Sequence, residues 1–393
     1  MIDFDSALAR IRAVAVPLGS EHVDLMEAAG RIAASDIPAN RDHPLTPQSV
    51  MDGYAVGSDC RPGDRLAVQG EAYPGSPCDT VVGNGAAARV FTGAPLPSGT
   101  ARVVMQENVD RDGDVAVIRE ISEALFVRRA GTDFRAGDVL VPKGTRLGPR
   151  ALVAAAAGDH ATLEVMRRPR VTIITTGDEL VPPGDPDRRE FQIPDSLSVG
   201  LAALLGDHGA TVDTVLRLDD RRDAHAKALR QAVDGSDLLV VAGGASVGER
   251  DFAKAMLEPL GLDLAFSKVA MKPGKPVWFG QVRDGEVKVL GLPGNPTSAL
   301  VTARLLGVPL LRGMTGAASD GLDWQDMSLA APLPATGGRE TFWRARVSPE
   351  GLVPITDQDS GLQRTLVQAD MLIRRRGEAG PADVGETVEA IAF

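Results

Sequence analysis

Residues 243–251 directly follow the apolar run 238–242 and contain glycines together with acidic residues. Small residues after a strand let the backbone approach a ligand and expose N–H groups that can bind a phosphate. Asp251 would repel that phosphate unless a cation lay between them, so the pattern predicts a phosphate and a hard metal ion at one strand end. A tight turn with a solvated acidic first turn explains the same residues equally well. The small residues of this loop are Gly243, Gly244, Ser246 and Gly248.

Polar residues also follow the apolar runs that start at residues 171, 211 and 287. Ligands of open α/β sheets bind outside the carboxyl ends of the strands, so these positions together predict a nucleotide site. Mg²⁺ takes one or two carboxylates together with phosphate oxygens, and Glu179 and Asp251 are the predicted metal ligands. Helix capping accounts equally well for one of Asp219 and Asp220. The other strand-end residues are Thr176 and Asn295.

Lysines are concentrated near these strand ends: four of the seven in the chain lie between positions 254 and 275. In the string Lys272-Pro-Gly-Lys275-Pro, prolines restrict the backbone around two ammonium groups, which act as point charges for phosphate or oxyanions. The pair is therefore predicted to bind an anion, and a solvated basic turn is the alternative.

No nucleophile with a partnered base is apparent in the sequence. The five histidines are scattered and none lies near Ser246, so Ser-His-Asp and Cys-His schemes are unsupported. Metal-assisted transfer with substrate positioning is the favoured class of chemistry.

The elements that must position these residues alternate between strands and helices from Arg170 onward, which predicts a parallel sheet with right-handed crossovers. Residues 57–140 carry short β segments and turn signals, and the C-terminal portion from Asp323 is again β-rich. Residues 3–16 have helical spacing, and a second short helix is expected to end at Gly30. An apolar helix is expected from Asp195 to Gly206, with Asp195 or Ser196 as its N-cap.

Composition sets further bounds. A chain of 393 residues with ordinary globular composition is expected to form two to four domains. The net charge of −11 argues against nucleic-acid binding, and no apolar run is long enough to span a membrane. The N-terminus lacks the basic region of a signal peptide, and the two cysteines fit a reducing cytoplasm.

Seven strings, in order along nearly the whole chain, resemble the MoeA and gephyrin E-domain family of molybdopterin molybdenumtransferases. They begin at Met51 (MDGYAV), Phe91 (FTGAPLP), Val104 (VMQE), Thr176 (TGDEL), Gly243 (GGASVG, with Asp251), Met271 (MKPGKP) and Gly291 (GLPGNP).

The resemblance implies a multidomain α/β plus β fold. A doubly wound domain like that of the adenylylating partner enzyme is expected from residues 1–19 and 170–318, and a discontinuous linker domain from 20–47 and 134–169. A β-rich domain is expected from 48–133, and a C-terminal β-barrel from 319–393. The subunits are expected to pair as an elongated homodimer.

The resemblance also implies a reaction: adenylylated molybdopterin and molybdate give molybdenum cofactor and AMP, with Mg²⁺. The site is expected to be shared between subunits, and a contact with the molybdopterin adenylyltransferase is a further prediction. The β-rich region would contribute Asp52, Thr92 and Asp133. The doubly wound domain would contribute Glu179, Asp219, Asp251, Lys272, Lys275 and Pro293.

The chain departs from the family pattern at three places. One is a shift by one residue at Leu218-Asp219-Asp220, which leaves Asp219 and Asp220 as alternatives for the same site position. Leu197 follows Asp195-Ser196 where the family often has Asn, and Thr132 precedes Asp133 where the family has Glu. The alternatives to molybdate insertion are a non-catalytic pterin-binding scaffold and a tungsten-inserting paralogue.

Overall fold

The computed structural model describes residues 1–219, 225–243 and 252–393. In this part of the chain, six strands form the central sheet of an α/β unit, with the first four in parallel. In spatial order they are Thr211–Leu218, Arg170–Thr176, Leu238–Ala242, Val287–Leu292, Trp278–Val282 and Asp263–Phe266.

The last two strands run antiparallel to their neighbours, so the expectation of a wholly parallel sheet was wrong at this edge. Only residues 283–286 separate Trp278–Val282 from Val287–Leu292. Such a short connection allows a hairpin but not a crossover, and apolar runs alone do not reveal strand direction.

Both faces of this sheet are buried. Successive residues of its strands point to opposite sides, and the residues of each side pack into a different core. Ile173 and Val240 belong to one core with helix residues such as Phe4 and Leu201. Ile174 and Val241 belong to the core on the other face. The α-helices among the described residues are α1 (Phe4–Val14), α2 (Pro149–Ala157), α3 (Ser196–Asp207), α4 (Ala226–Gly235), α5 (Phe252–Leu257), α6 (Pro296–Thr302) and α7 (Val308–Met314).

The β-rich region forms a separate sheet with two small cores of its own, as the sequence predicted. Its strands, in spatial order, are Arg102–Met105, Gly53–Val56, Ala86–Val90, Arg65–Ala72, Val115–Ile118 and Val109–Asp112. A short pair, Gln48–Ser49 with Val127–Arg128, lies at the point where the chain enters and leaves this region.

Two distant chain segments share another small core around Ala33, Leu147 and Val165. Its strand pairs are Ser20–Asp24 with Thr162–Met166 and Ile37–Pro38 with Val139–Val141, and α2 packs beside them. The short helix expected before Gly30 is instead a turn.

The C-terminal sheet attaches to the α/β unit through the strand Met271–Lys272, which pairs with Glu340–Ser348. The order continues through Met371–Arg375, Thr387–Ala392 and Gln325–Ser328, with Gly351–Pro354 beside Glu340–Ser348. A further short pair joins Leu180–Val181 to Ile193–Pro194. Among the described residues, no helix is long and apolar enough to cross a membrane.

Candidate functional site

A cleft of about 770 Å³ opens at the carboxyl ends of the parallel strands. This is the position where ligands bind in open α/β sheets. The structure therefore brings together many of the residues that the sequence assigned to the site. Those that line the cleft are Thr176, Glu179, Gly243, Lys275, Pro293 and Asn295.

Glycines let two strand ends approach each other at the base of the cleft. Gly243 has φ +97°, and a Cβ atom there would lie 2.7 Å from the carbonyl oxygen of Thr176. A Cβ on Gly294 would lie 3.3 Å from the Cα of Gly243. The Thr176 hydroxyl is buried beside Gly243, with no hydrogen-bond partner among the described residues. The backbone here thus meets the requirement for close approach of a ligand.

Glu179 is exposed at the cleft, and Gly177 leaves space for its side chain. A Cβ atom on Gly177 would lie 2.6 Å from Glu179 Oε2. The described residues contain no cluster of three or more metal-ligating side chains. Glu179 is an exposed carboxylate on an open cleft, which suits a Mg²⁺ ion that takes its other ligands from phosphates and water.

Some predicted site residues cannot be placed. Gly244, Ser246, Gly248 and Asp251 lie outside the described residues, so the pairing of Glu179 with Asp251 stays a prediction. The end of the strand Thr211–Leu218 is described as far as Asp219. The carboxylate of Asp219 lies 2.7 Å from His225 Nε2. Asp219 is absent from the described lining of the cleft.

A buried acid at the start of α3 was recognised from sequence only as a helix cap. Asp195 is 1% exposed and lines the cleft. Its Oδ1 accepts from Ser198 N at 3.1 Å, which caps α3. Its Oδ2 accepts from Arg217 Nε at 2.9 Å and Thr175 Oγ1 at 3.1 Å. These bonds hold α3 against two neighbouring strands at the cleft wall.

Among the described residues, three lysines line the cleft. Lys254 and Lys268 line it together with Lys275. Lys254 Nζ also lies 5.6 Å from the centre of the Trp278 ring. Lys272 instead lines an adjoining cavity of about 520 Å³, which shares Lys275 with the main cleft. The two lysines of the predicted pair thus line adjoining cavities.

The C-terminal region closes one side of the cleft, which sequence reasoning missed. Ser360 Oγ accepts a hydrogen bond from Asn295 Nδ2 at 3.0 Å, and Gln363 Oε1 accepts one from Ser196 Oγ at 2.8 Å. No local signal in residues 359–363 indicates such a contact, because its partners lie far away in the chain.

Asp52 and Thr92 form a pair in the β-rich region and do not line the cleft of the same chain. Asp52 Oδ1 accepts from the N–H and the hydroxyl of Thr92, each at 2.8 Å. These two hydrogen bonds lower the pKa of Asp52 below its usual value. Asp133 lies exposed in a turn beside His43 and is also absent from the cleft.

An aromatic ladder next to this pair was not anticipated from sequence. Phe91, the neighbour of Thr92, stacks on Tyr73 with ring centres 4.6 Å apart. The Arg89 guanidinium lies 4.9 Å from the Phe91 ring centre and 5.0 Å from that of Tyr54. The chain has only two tyrosines, and both belong to this ladder. Tyr73 is 44% exposed, so one end of the ladder lies at the protein surface.

Comparison with known families agrees with this architecture over most of the chain. The MoeA N-terminal region (domain I and II) matches residues 2–158. A probable molybdopterin binding domain matches residues 172–313, and the MoeA C-terminal region (domain IV) matches residues 326–393.

Full-length relatives are similar in sequence and in structure. A molybdopterin molybdenumtransferase of Haemophilus influenzae is 35% identical, over 100% of this chain and 99% of the relative. One from Synechococcus elongatus is 36% identical, over 88% of this chain and 87% of its own. Two crystal structures of MoeA proteins from Pyrococcus horikoshii superpose with a TM-score of 0.85 at 30% and 26% identity. They cover 100% of this chain and 99% and 100% of their own.

Proposed function

Because the chain belongs to the MoeA family of molybdopterin molybdenumtransferases, we propose that it inserts molybdate into adenylylated molybdopterin and releases AMP. The single observation that carries the proposal is the lysine-lined cleft at the carboxyl ends of the parallel strands. Its volume of about 770 Å³ lies within the range of sites for small molecules and cofactors.

Anion binding in the cleft follows from its residues. Lys254, Lys268 and Lys275 attract a substrate that carries a phosphoanhydride, and molybdate is itself an oxyanion. Gly243 and Gly294 both line the cleft without side chains, which suits contact between phosphate oxygens and the backbone. In this proposal Thr176, Pro293 and Asn295 complete the substrate contacts.

Glu179 and Asp251 would hold Mg²⁺, which supplies charge neutralisation at the phosphoanhydride when it is bound. The work of the protein is then positioning, because cleavage of a phosphoanhydride needs alignment and charge stabilisation more than covalent chemistry. Lys272 and Lys275 line adjoining cavities, and they are suited to hold the incoming molybdate beside the phosphates.

The second half of the site comes, in our proposal, from the partner subunit of a homodimer. Asp52, Thr92 and Asp133 do not line the described cleft of their own chain, and in this proposal they act on the cleft of the partner. The hydrogen bonds from Thr92 lower the pKa of Asp52 further below neutral pH and fix its side chain as a carboxylate. We retain Asp219 as a substrate contact and the four-domain division of the subunit as part of the same proposal.

We also propose the compartment of the reaction and the protein that supplies its substrate. Cys60 and Cys78 are both free, in keeping with a cytoplasmic enzyme. A contact with the molybdopterin adenylyltransferase would pass the adenylylated pterin on directly.

The test is release of AMP from adenylylated molybdopterin by purified protein with Mg²⁺ and molybdate. Glu179→Gln is expected to lower kcat by at least about 100-fold if the carboxylate helps to neutralise the phosphates. Glu258→Gln is the matched control, since Glu258 is exposed and absent from the cleft lining.

Normal turnover by Glu179→Gln would refute the site assignment. Pterin binding without AMP release would instead support a scaffold, and faster release with tungstate than with molybdate would support a tungsten-inserting enzyme.

A further inference from the structure

A cluster of arginines lies outside the cleft, between the two-segment small core and the α/β unit. We call it the arginine crevice and define it by Arg31, Arg146, Arg168, Arg312 and His208, which line one shallow cavity. Arg31, Arg146 and Arg168 come from the small-core segments, whereas His208 ends α3 and Arg312 lies on α7. None of the described residues that line this cavity is acidic.

Two of these arginines have unused buried donors. Arg31 is 8% exposed; its Nη2 donates to Glu21 and to the carbonyl oxygen of Met166, at 2.8 Å for the latter. Its Nε has no acceptor among the described residues, and the same is true of Arg312 Nε. A buried donor without an acceptor is costly, so these two side chains keep unused hydrogen-bonding capacity.

The arginines also raise the local positive potential. The pKa of Arg168 is lowered by burial and by Arg31 and Arg146, although Glu21 acts in the opposite direction. Burial and Arg146 lower the pKa of Arg312, against Asp323 and Asp320. The arginines of the crevice therefore lie close enough to repel one another.

The size of the cavity limits what can enter. Its volume of about 10 Å³ admits roughly one water-sized group. Arg146 and Arg168 are exposed at its mouth and form no ion pair within the described part of the chain. One oxygen atom of an anion fits the interior, while its other oxygens would meet these two exposed guanidinium groups.

We propose that the arginine crevice binds a tetrahedral oxyanion, with inorganic phosphate as the simplest example. One oxygen accepts from Arg31 and Arg312, and Arg146 and Arg168 bind the remaining oxygens, as guanidinium groups commonly do. The anion joins the small core to α3 and α7 of the α/β unit. This site is independent of the proposed transferase activity.

The experiment is calorimetric titration of the full-length protein with inorganic phosphate at constant ionic strength, with chloride as the control salt. The cleft also attracts anions, so the titration is carried out in a Lys275→Gln background as well. Saturable binding of one phosphate per chain should persist in that background.

The double variant Arg146→Gln/Arg168→Gln should weaken this binding at least roughly tenfold, because charge-assisted hydrogen bonds are lost. Arg150→Gln, which removes the same charge from an exposed position on α2, should leave it unchanged. Both exposed arginines can be replaced without disturbing a core, and circular dichroism verifies the fold of each variant.

Two results would overturn the proposal. One is the absence of saturable phosphate binding in the Lys275→Gln background. The other is unchanged phosphate binding by the double variant. If that variant also dissociates into smaller oligomers, carboxylates of a second copy of the chain occupy the crevice.

Discussion

Asp52 and Thr92 show how far residue types alone can predict a site. The sequence identified both residues through separate strings, and the structure shows that they are directly hydrogen-bonded. Their pairing depends on the antiparallel register between Gly53–Val56 and Ala86–Val90, which residue types do not specify. The adjoining ladder of Arg89, Phe91 and Tyr73 was missed for the same reason.

Thr92→Val should raise the pKa of Asp52 toward its usual value, because one of the two hydrogen bonds to its carboxylate is lost. The depressed pKa of the folded state favours folding above the unfolded pKa, and this contribution disappears as pH falls through the folded pKa. An NMR titration of the Asp52 carboxyl carbon measures the shift. Thr92→Ser keeps both donors and should titrate like wild type; an unchanged pKa in Thr92→Val would contradict the assignment.

His208 makes a contribution of the same sign to pH dependence, over a higher pH range. Burial, together with Arg304, Arg312 and Arg146, lowers its pKa from 6.5 to about 4, against a smaller opposing effect of Asp207. The unfolded state therefore binds a proton more readily, so stability is lost as pH falls from about 6.5 toward about 4.

Replacing His208 by Gln should flatten this loss of stability. Thermal unfolding measured at several pH values between 7 and 4 would show a smaller fall in Tm for the variant. His22→Gln is the control, since His22 is exposed on the strand Ser20–Asp24. A variant whose Tm falls as steeply as that of wild type would disprove the role of His208.

At the scale of elements, α3 shows what a local signal predicts and what it leaves out. Asp195 was identified as an N-cap because acids before an apolar helical run are strong start signals. Its second role, as partner of Arg217 and Thr175, arises only when the strands that carry these residues lie side by side. Leu197, a departure from the family pattern, is buried in the α/β core and also lines the cleft.

Asp195→Ala should destabilise the α/β unit by about 3 kcal/mol, because it removes a helix cap and leaves Arg217 without its buried partner. Chemical unfolding monitored by Trp278 fluorescence within the core gives the value. Asp195→Asn keeps an oxygen for the cap and should lose less. Equal losses in the two variants would mean that the charge pair contributes nothing.

At the scale of the molecule, the alternation of apolar runs was sufficient to predict an α/β sheet with its ligand edge. It was not sufficient to predict the antiparallel edge strands, because buried strands of either direction read as the same apolar runs. Closure of the cleft by Ser360 and Gln363 is likewise invisible in sequence, since it depends on how the C-terminal sheet attaches through Met271–Lys272.

The arrangement of the whole chain also explains the central proposal. The cleft contains Glu179 and Lys275, whereas Asp52, Thr92 and Asp133 lie on other elements that contribute nothing to its described lining. A site that needs both groups must combine two chains, as isologous pairing in a homodimer allows.

Mixed dimers test this claim most directly. Glu179→Gln and Asp52→Asn, each inactive alone, are co-expressed with different tags, and AMP release from adenylylated molybdopterin is measured. We predict roughly a quarter of wild-type activity, because random pairing makes half of the dimers mixed and each of these keeps one intact site of two. Glu179→Gln with Lys275→Gln, both on the cleft side, should stay inactive as a pair. Failure of Glu179→Gln and Asp52→Asn to restore activity in purified mixed dimers would contradict the shared site.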